Sequence, residues 1–386
     1  MPPTRFNPVF DALPVTVFET MSRLARETGA INLGQGFPDD PGPEDVRAKA
    51  AEAALHGWSQ YPPMMGLAGL REATAAHYAR WQGVSLDPER EVMVTSGATE
   101  ALAGALLALV EPGDEVVLIQ PMYDAYLPLA LRAGATPRFV RLGPPDWRLD
   151  VDAIRAAIGP RAKAVVLNNP LNPAGAVYGR EDLEALAGAL EGSGAVLISD
   201  EVWEHVTFDG RAHVSALAVP ALRDRTVKIG SAGKIFAMTG WKVGLVCAAP
   251  HLMRALSRAH QFLTFTTPPS LQEAVAYGLG KDDAWFLDAR AALGAKRDRF
   301  AAALRAAGFA PLASAGTYFL NVDVAPLGVT DDAAFCERLA REAGVAAIPV
   351  SAFYASDKVT TVARFCFAKH DATLDAAAGR LAAFRF

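Results

Sequence analysis

From residue 92 onward, apolar residues come in short β-branched runs separated by longer stretches with helical spacing. The runs are VMVTS (92–96), EVVLIQ (115–120), PRFVRL (137–142), AVVLNN (164–169), AVLISDE (195–201), TVKIGS (226–231) and VGLVCAA (243–249). Between the first five lie segments such as TEALAGALLALV and REDLEALAGAL, whose apolar positions recur at helical intervals. Strands alternating with helices predict βαβ crossovers, hence an α/β fold with a mostly parallel seven-stranded sheet covered on both faces. The near-continuous apolar character of the runs fits that burial. The C-terminal part has another rhythm. A helical stretch near 283–307 is followed by TYFLNVDV, a helix at 331–343, VAAIPV, VARFCFAK and a closing helix, which predicts a smaller α+β domain. The first 45 residues, with Pro38, Pro41 and Pro43 closely spaced, cannot form one long helix and read as an extended arm. The expected division is a large domain at 46–275 and a small one built from 1–45 and 276–386.

Composition narrows the class. A chain of 386 residues with 51% hydrophobic and 20% charged residues has ample material for two or three packed units and is not disordered. Lys and Arg total 37 against 42 Asp and Glu, a net charge of -5, so polyanionic partners such as nucleic acid are disfavoured. A single phosphate needs only one local site and stays possible. Three widely spaced cysteines (Cys247, Cys336, Cys366) form no disulfide framework and suit a reducing cytosol. The opening MPPTRFNPVFDALPV has no signal-peptide pattern. The most apolar stretch, ALAGALLALV at 101–110, is half of the roughly 20 residues a spanning helix needs. The expectation is a soluble, cytoplasmic protein with no membrane partner.

In parallel sheets, ligands bind beyond the carboxyl ends of the strands. There the chain places Ser96-Gly97, Pro121-Met122-Tyr123, Asn168-Asn169, Asp200-Glu201 and Ser231, each ending a different apolar run. In TSGATEAL, Gly97 separates a strand from a helix opened by Ala98 and Thr99, whose free N–H groups suit an anion; an ordinary tight turn would look the same. GSAGKIFAMTGWKVG brings Ser231, Lys234 and Lys242 into one short segment, although either lysine alone could be a surface charge. Lys234 has apolar neighbours, and a desolvated lysine has a lowered pKa and becomes a nucleophile able to form a Schiff base. Asp200 ends the apolar strand AVLIS, where a carboxylate must meet a cation or an N–H donor. Pro170 and Pro173 in NNPLNPAG shape a turn that aims Asn172 outward.

GQGFPD, QYPP, TSGATEAL, NNPLNPAG, SDEVWEH, GSAGKIFAMTGWKVG, IPVSAFY and RFCFAK occur in this order. Together they resemble the class I/II aminotransferases of fold type I, which depend on pyridoxal phosphate. The resemblance runs from about residue 15 to the end and is nearest to the kynurenine/glutamine/methionine aminotransferase group and to bacterial succinyldiaminopimelate aminotransferases. It implies that Lys234 holds the cofactor covalently and then shuttles the substrate proton. Asp200 would keep the pyridine nitrogen protonated, Asn172 would bond the ring 3-hydroxyl, and Tyr123 would stack on the ring. The Ala98 and Thr99 backbone, Ser231 and Lys242 would hold the phosphate, with Tyr61 reaching the neighbouring site of a homodimer. Arg364, helped by Gly36, would clamp the substrate α-carboxylate.

One departure is Trp203, where relatives carry a tyrosine that contacts the cofactor. An indole N–H donates but does not exchange a proton as a phenol does, so the expectation is a shifted pKa for the cofactor-bound lysine rather than lost activity. Val17, Phe18, Phe265 and Phe353 fall near side-chain-pocket positions of relatives and suggest a large neutral or aromatic substrate, although Phe265 and Phe353 could equally be core. Gly34-Gln35-Gly36 lies in the arm, not in a strand–helix turn, so a dinucleotide site is set aside. The seven histidines form no metal-binding spacing, and His205 and His213 suggest packing or solvent contacts. The motifs begin within the first 35 residues, so a transcriptional regulator with an added DNA-binding module is not expected. The expected reaction is ping-pong transfer of an amino group to a 2-oxo acid. A succinyldiaminopimelate aminotransferase of lysine biosynthesis and a carbon–sulfur β-lyase are the alternatives.

Overall fold

The computed structural model describes residues 4–385; residues 1–3 and 386, the outer ends of the expected arm and small domain, lie outside the described residues. Strand β1 (Ile31–Asn32) belongs to the arm. All seven apolar runs become strands of one sheet: β2 (Val92–Thr95), β3 (Glu115–Gln120), β4 (Thr136–Arg141), β5 (Ala162–Asn168), β6 (Val196–Asp200), β7 (Thr226–Ser231) and β8 (Gly244–Ala248). Their order is β2-β8-β7-β6-β5-β3-β4, parallel throughout except β8, which runs against both of its neighbours. β3, interior to the sheet between β5 and β4, is buried along its whole length, as a strand covered on both faces must be. β4 lies at the edge, which explains its alternating exposure and its tolerance of Pro137, a residue without an N–H to give to a further strand. Lys228 contradicts the apolar pattern of β7. It is fully buried, yet its ammonium lies 2.8 Å from Glu204 and 3.6 Å from the centre of the Tyr78 ring, so the charge is compensated.

The C-terminal part forms a second, four-stranded antiparallel sheet in the order β12-β13-β10-β9, from β9 (Ala310–Pro311), β10 (Phe319–Asp323), β12 (Ile348–Pro349) and β13 (Val362–Cys366). Strand β11 (Val345–Ala346) instead pairs with β1 of the arm. Phe300, Phe319, Phe365 and Leu381 build the core of this sheet and its helices, and Met21, Leu24 and Leu33 of the arm pack into the same core.

The arm is not simply extended. It carries a 12-residue helix, Val17–Thr28, in which Thr16 Oγ1 accepts from Glu19 N–H at the start and Gly29 in the left-handed region closes the end. The three prolines lie beyond this segment, so nothing in 17–28 interrupts a helix whose buried face is Met21, Ser22, Leu24 and Ala25. No helix among the described residues is long and apolar enough to cross a membrane.

Candidate active site

A cavity of about 370 Å³ opens between the two sheets, above the carboxyl ends of the parallel strands. Its floor comes from the large sheet and its roof from β10, β13 and the arm. Of the residues expected from sequence, Phe18, Gly36, Ala98, Thr99, Tyr123, Asn172, Asp200, Trp203, Ser231, Lys234, Lys242 and Arg364 all line it. Three do not. Phe353 is buried behind the wall, 5.9 Å from Phe18 and 5.0 Å from the Arg364 guanidinium. Tyr61 and Phe265 pack edge to face at 5.4 Å outside the cavity, and Tyr61 is 80% exposed.

Asp200 ends β6, in register with Asn168 of β5 and Ile229 of β7. Its donors are an N–H group, as expected, and a phenol that was not: Val202 N–H donates to Oδ1 at 3.3 Å, and Tyr126 O–H donates to Oδ2 at 2.5 Å. Burial pushes the Asp200 carboxyl up to about 6, against the pull of the Tyr126 hydrogen bond. Tyr126 had no signature of its own in the sequence; the clue was that a buried carboxylate requires a donor.

Lys234 sits in the short helix Ala232–Ile235 directly after β7. Burial pulls its ammonium down to about 8. Nζ donates to Tyr318 Oη at 3.0 Å and lies 3.4 Å from Gly36 O, while Tyr318 O–H itself donates to Gly36 O at 2.6 Å. With its only proton committed to Gly36, Tyr318 must accept from the lysine. Trp203, 3% exposed, presents its ring 4.7 Å from Nζ and meets Tyr318 edge-on at 4.4 Å. Tyr318 read as no more than part of a strand; a hydroxyl opening an apolar run was the available signal.

Arg364, in β13, is 1% exposed. Nη1 donates to Asn172 Oδ1 at 2.9 Å and Nη2 to Gly34 O at 2.9 Å, and the guanidinium stacks 3.8 Å from the Phe319 ring. Asn172 therefore points inward, buried against the arginine, not outward. Both acceptors are neutral and the buried Nε has no partner among the described residues, so the nearest compensation on the cavity is the through-space attraction of Asp124. Burial brings this guanidinium down to about 10.

At the opposite end Gly97 precedes helix Ala98–Leu109 with φ 85° and ψ 168°, a region open essentially to glycine alone. A Cβ there would stand 3.0 Å from Lys242 Cε, which places the Lys242 side chain beside the helix start and its free N–H groups. His205 and His213 are both buried: His213 pairs with Glu201 at 3.0 Å and His205 with His77 at 2.7 Å.

A lysine, an acceptor carboxylate and an anion-binding helix start share one cavity with a buried arginine, and the description "Aminotransferase class I and II" matches residues 28–381. The chain belongs to that family. It is 46% identical to a probable N-succinyldiaminopimelate aminotransferase of Mycobacterium tuberculosis, over 95% of each chain. It is 41% identical to the methionine aminotransferase of Escherichia coli, over 96% of each. An Escherichia coli structure described as having a methionine aminotransferase function superposes with a TM-score of 0.96 at 40% identity, covering 99% of this chain and 100% of that one. This aminotransferase is thus an enzyme of amino acid metabolism with the fold its relatives use.

Proposed function

We propose that this aminotransferase uses pyridoxal phosphate to move the amino group of a large neutral, aromatic or sulfur-containing L-amino acid to a 2-oxo acid, in two alternating half-reactions. The observation that carries the reading is the arrival of Lys234, Asp200 and Arg364 on one cavity from three separate elements. The donor set fits the cofactor: a buried acceptor at Asp200, a lysine with lowered pKa, and an open glycine turn beside Lys242 and Ser231. Lys234 would hold the cofactor covalently, Asp200 its ring nitrogen, Asn172 and Trp203 its ring oxygen edge, and Tyr123 its ring face. Its phosphate would lie on the Ala98 and Thr99 N–H groups with Ser231, Lys242 and Tyr61 of a second copy, which makes the working unit a homodimer. When bound, the cofactor supplies an electron sink for the charge left at the substrate Cα. Arg364 binds the substrate carboxylate, using the donor capacity that Nε leaves free. Lys234 Nζ then takes the Cα proton; with a pKa near 8, a usable fraction of the amine is neutral at physiological pH. Tyr318 holds one N–H of that amine in place, and Phe18, Phe37 and Phe319 keep water from the reacting carbon. We place the large unit at 46–275 and the small unit at 1–45 with 276–386, and the enzyme in the cytoplasm.

The side-chain region favours a neutral donor. Phe18 and Phe319 flank Arg364, and Asp124 lines the same cavity and repels a second carboxylate. The second reading, N-succinyldiaminopimelate as donor, is favoured by the 46% identity to the Mycobacterium protein. A donor panel of methionine, phenylalanine, glutamine, aspartate and N-succinyldiaminopimelate decides between them. Methionine or phenylalanine is expected to exceed aspartate at least tenfold in kcat/KM, about 1.4 kcal/mol of discrimination. Preference for N-succinyldiaminopimelate installs the second reading. Ammonia and pyruvate as the main products from β-substituted donors, or normal turnover by Lys234→Ala, overturn the proposal.

A further inference from the structure

A second cavity of about 290 Å³ lies on the far side of Lys234, between the arm turn Pro38–Pro43 and the helix Asp283–Ala306. Lys234 is the one residue lining both cavities. The walls are apolar: Phe236, Trp285 and Phe286 form a contiguous aromatic set with ring centres 4.9–6.4 Å apart, and Leu293 continues it. Two polar groups face this space without partners. The His205 side chain is more than nine-tenths buried; its Nε2 is committed to His77 at 2.7 Å, and its Nδ1 has no hydrogen bond. Arg290 has a buried Nε with no partner among the described residues, and its guanidinium carbon lies 6.0 Å from the centre of the Trp81 ring. The nearby acids are already engaged, Asp283 by Arg80 at 3.3 Å and Asp40 by Lys296 at 3.7 Å. A cationic fork, and an imidazole nitrogen that bears the proton in the tautomer whose Nε2 accepts from His77, stand above an aromatic wall and are complementary to one ligand chemistry: an anionic acceptor attached to an apolar body.

We propose that this cavity is a second ligand site, which takes a small monocarboxylate with an aromatic or branched aliphatic body. The carboxylate sits on Arg290 beside His205 Nδ1, and the body lies against Phe236, Trp285 and Phe286. The volume is too small for a peptide. The inference stands on this cavity alone and does not depend on the donor specificity proposed above. An occupant meets the Lys234–Tyr318 pair from behind without entering the active cavity, so it changes turnover without competing with the amino donor.

The test uses the cofactor-loaded enzyme and phenylacetate as probe, by calorimetry with tryptophan fluorescence as a second signal. The expected result is two binding events per chain. Arg290→Met weakens one of them at least tenfold and leaves kcat/KM for the amino donor within twofold. Arg364→Lys weakens the other. Leu293→Trp, which fills the second cavity, reproduces the Arg290→Met result should that variant fold poorly. A single event per chain that both cavity variants leave unchanged overturns the site, as does the absence of any second event at about 10 mM probe.

Discussion

Asp200 shows how a residue's environment stores the requirement for its partner. Its carboxyl titrates near 6 because burial opposes the charged form, and the Tyr126 phenol offsets only part of that cost. A carboxyl whose folded pKa lies above its unfolded value contributes stability at low pH that disappears as pH rises through the folded pKa. In the cofactor-free protein the Asp200 charge is therefore destabilising above pH 6. Asp200→Asn should raise the thermal midpoint of the cofactor-free protein at pH 8, by up to about 3 kcal/mol of stability, with a smaller gain at pH 5. The same variant should lose transamination by several orders of magnitude. Calorimetric scans at the two pH values, beside an activity assay, check both; equal gains at both pH values would remove the electrostatic account. Lys234 and Asp200 were legible because each is a charged residue set in or beside an apolar run, whereas Arg364 was indicated only by the family resemblance of RFCFAK. Tyr126 and Tyr318 were not, since their hydroxyls meet partners 74 and 84 residues away in sequence.

At the level of elements, the junction of β2 with helix Ala98–Leu109 has the most to lose from a small change. Gly97 is required twice, by its backbone conformation and by the 3.0 Å approach of Lys242 Cε to where a Cβ would stand. Gly97→Ala should destabilise the fold by about 1–3 kcal/mol. It should also weaken cofactor binding at least tenfold by displacing Lys242 from the helix start. Titrating the cofactor-free variant with pyridoxal phosphate, beside a denaturant melt, separates the two effects. Unchanged cofactor affinity would detach Gly97 and Lys242 from the phosphate role. Element types were largely readable along the chain, because strands buried on both faces are continuous in apolar character and helices are periodic. The arm was the exception. Its prolines at 38–43 drew attention away from the amphipathic face of 17–28, whose N-cap Thr16 and closing Gly29 were present in the sequence.

Across the whole molecule, several large apolar side chains remain exposed. Leu55, Trp58 and Tyr61 lie on one segment and Phe262, Leu263 and Phe265 on another, joined by the Tyr61–Phe265 contact. Phe262 is 86% exposed, far more than a core aromatic would be. If this surface is the proposed subunit interface, Phe262→Asp should convert the dimer to monomers. Activity should then fall at least tenfold, because Tyr61 would no longer reach the neighbouring cavity. Sedimentation velocity on the variant decides this; a fully active dimer would assign the patch elsewhere.

The succession of strands along the chain, the helices between them and the placing of a lysine in apolar surroundings at position 234 were determined by the chain itself. These depend on local patterning and on the type of residue ending each buried run. Only the tertiary structure decided which groups face one another. It set Arg364 of β13 against Asn172 of the large unit, stationed Tyr318 on Lys234, and opened a second cavity behind the lysine around Arg290 and His205. Such pairings join residues far apart in sequence, and local pattern carries no record of which distant side chain will satisfy a buried polar atom.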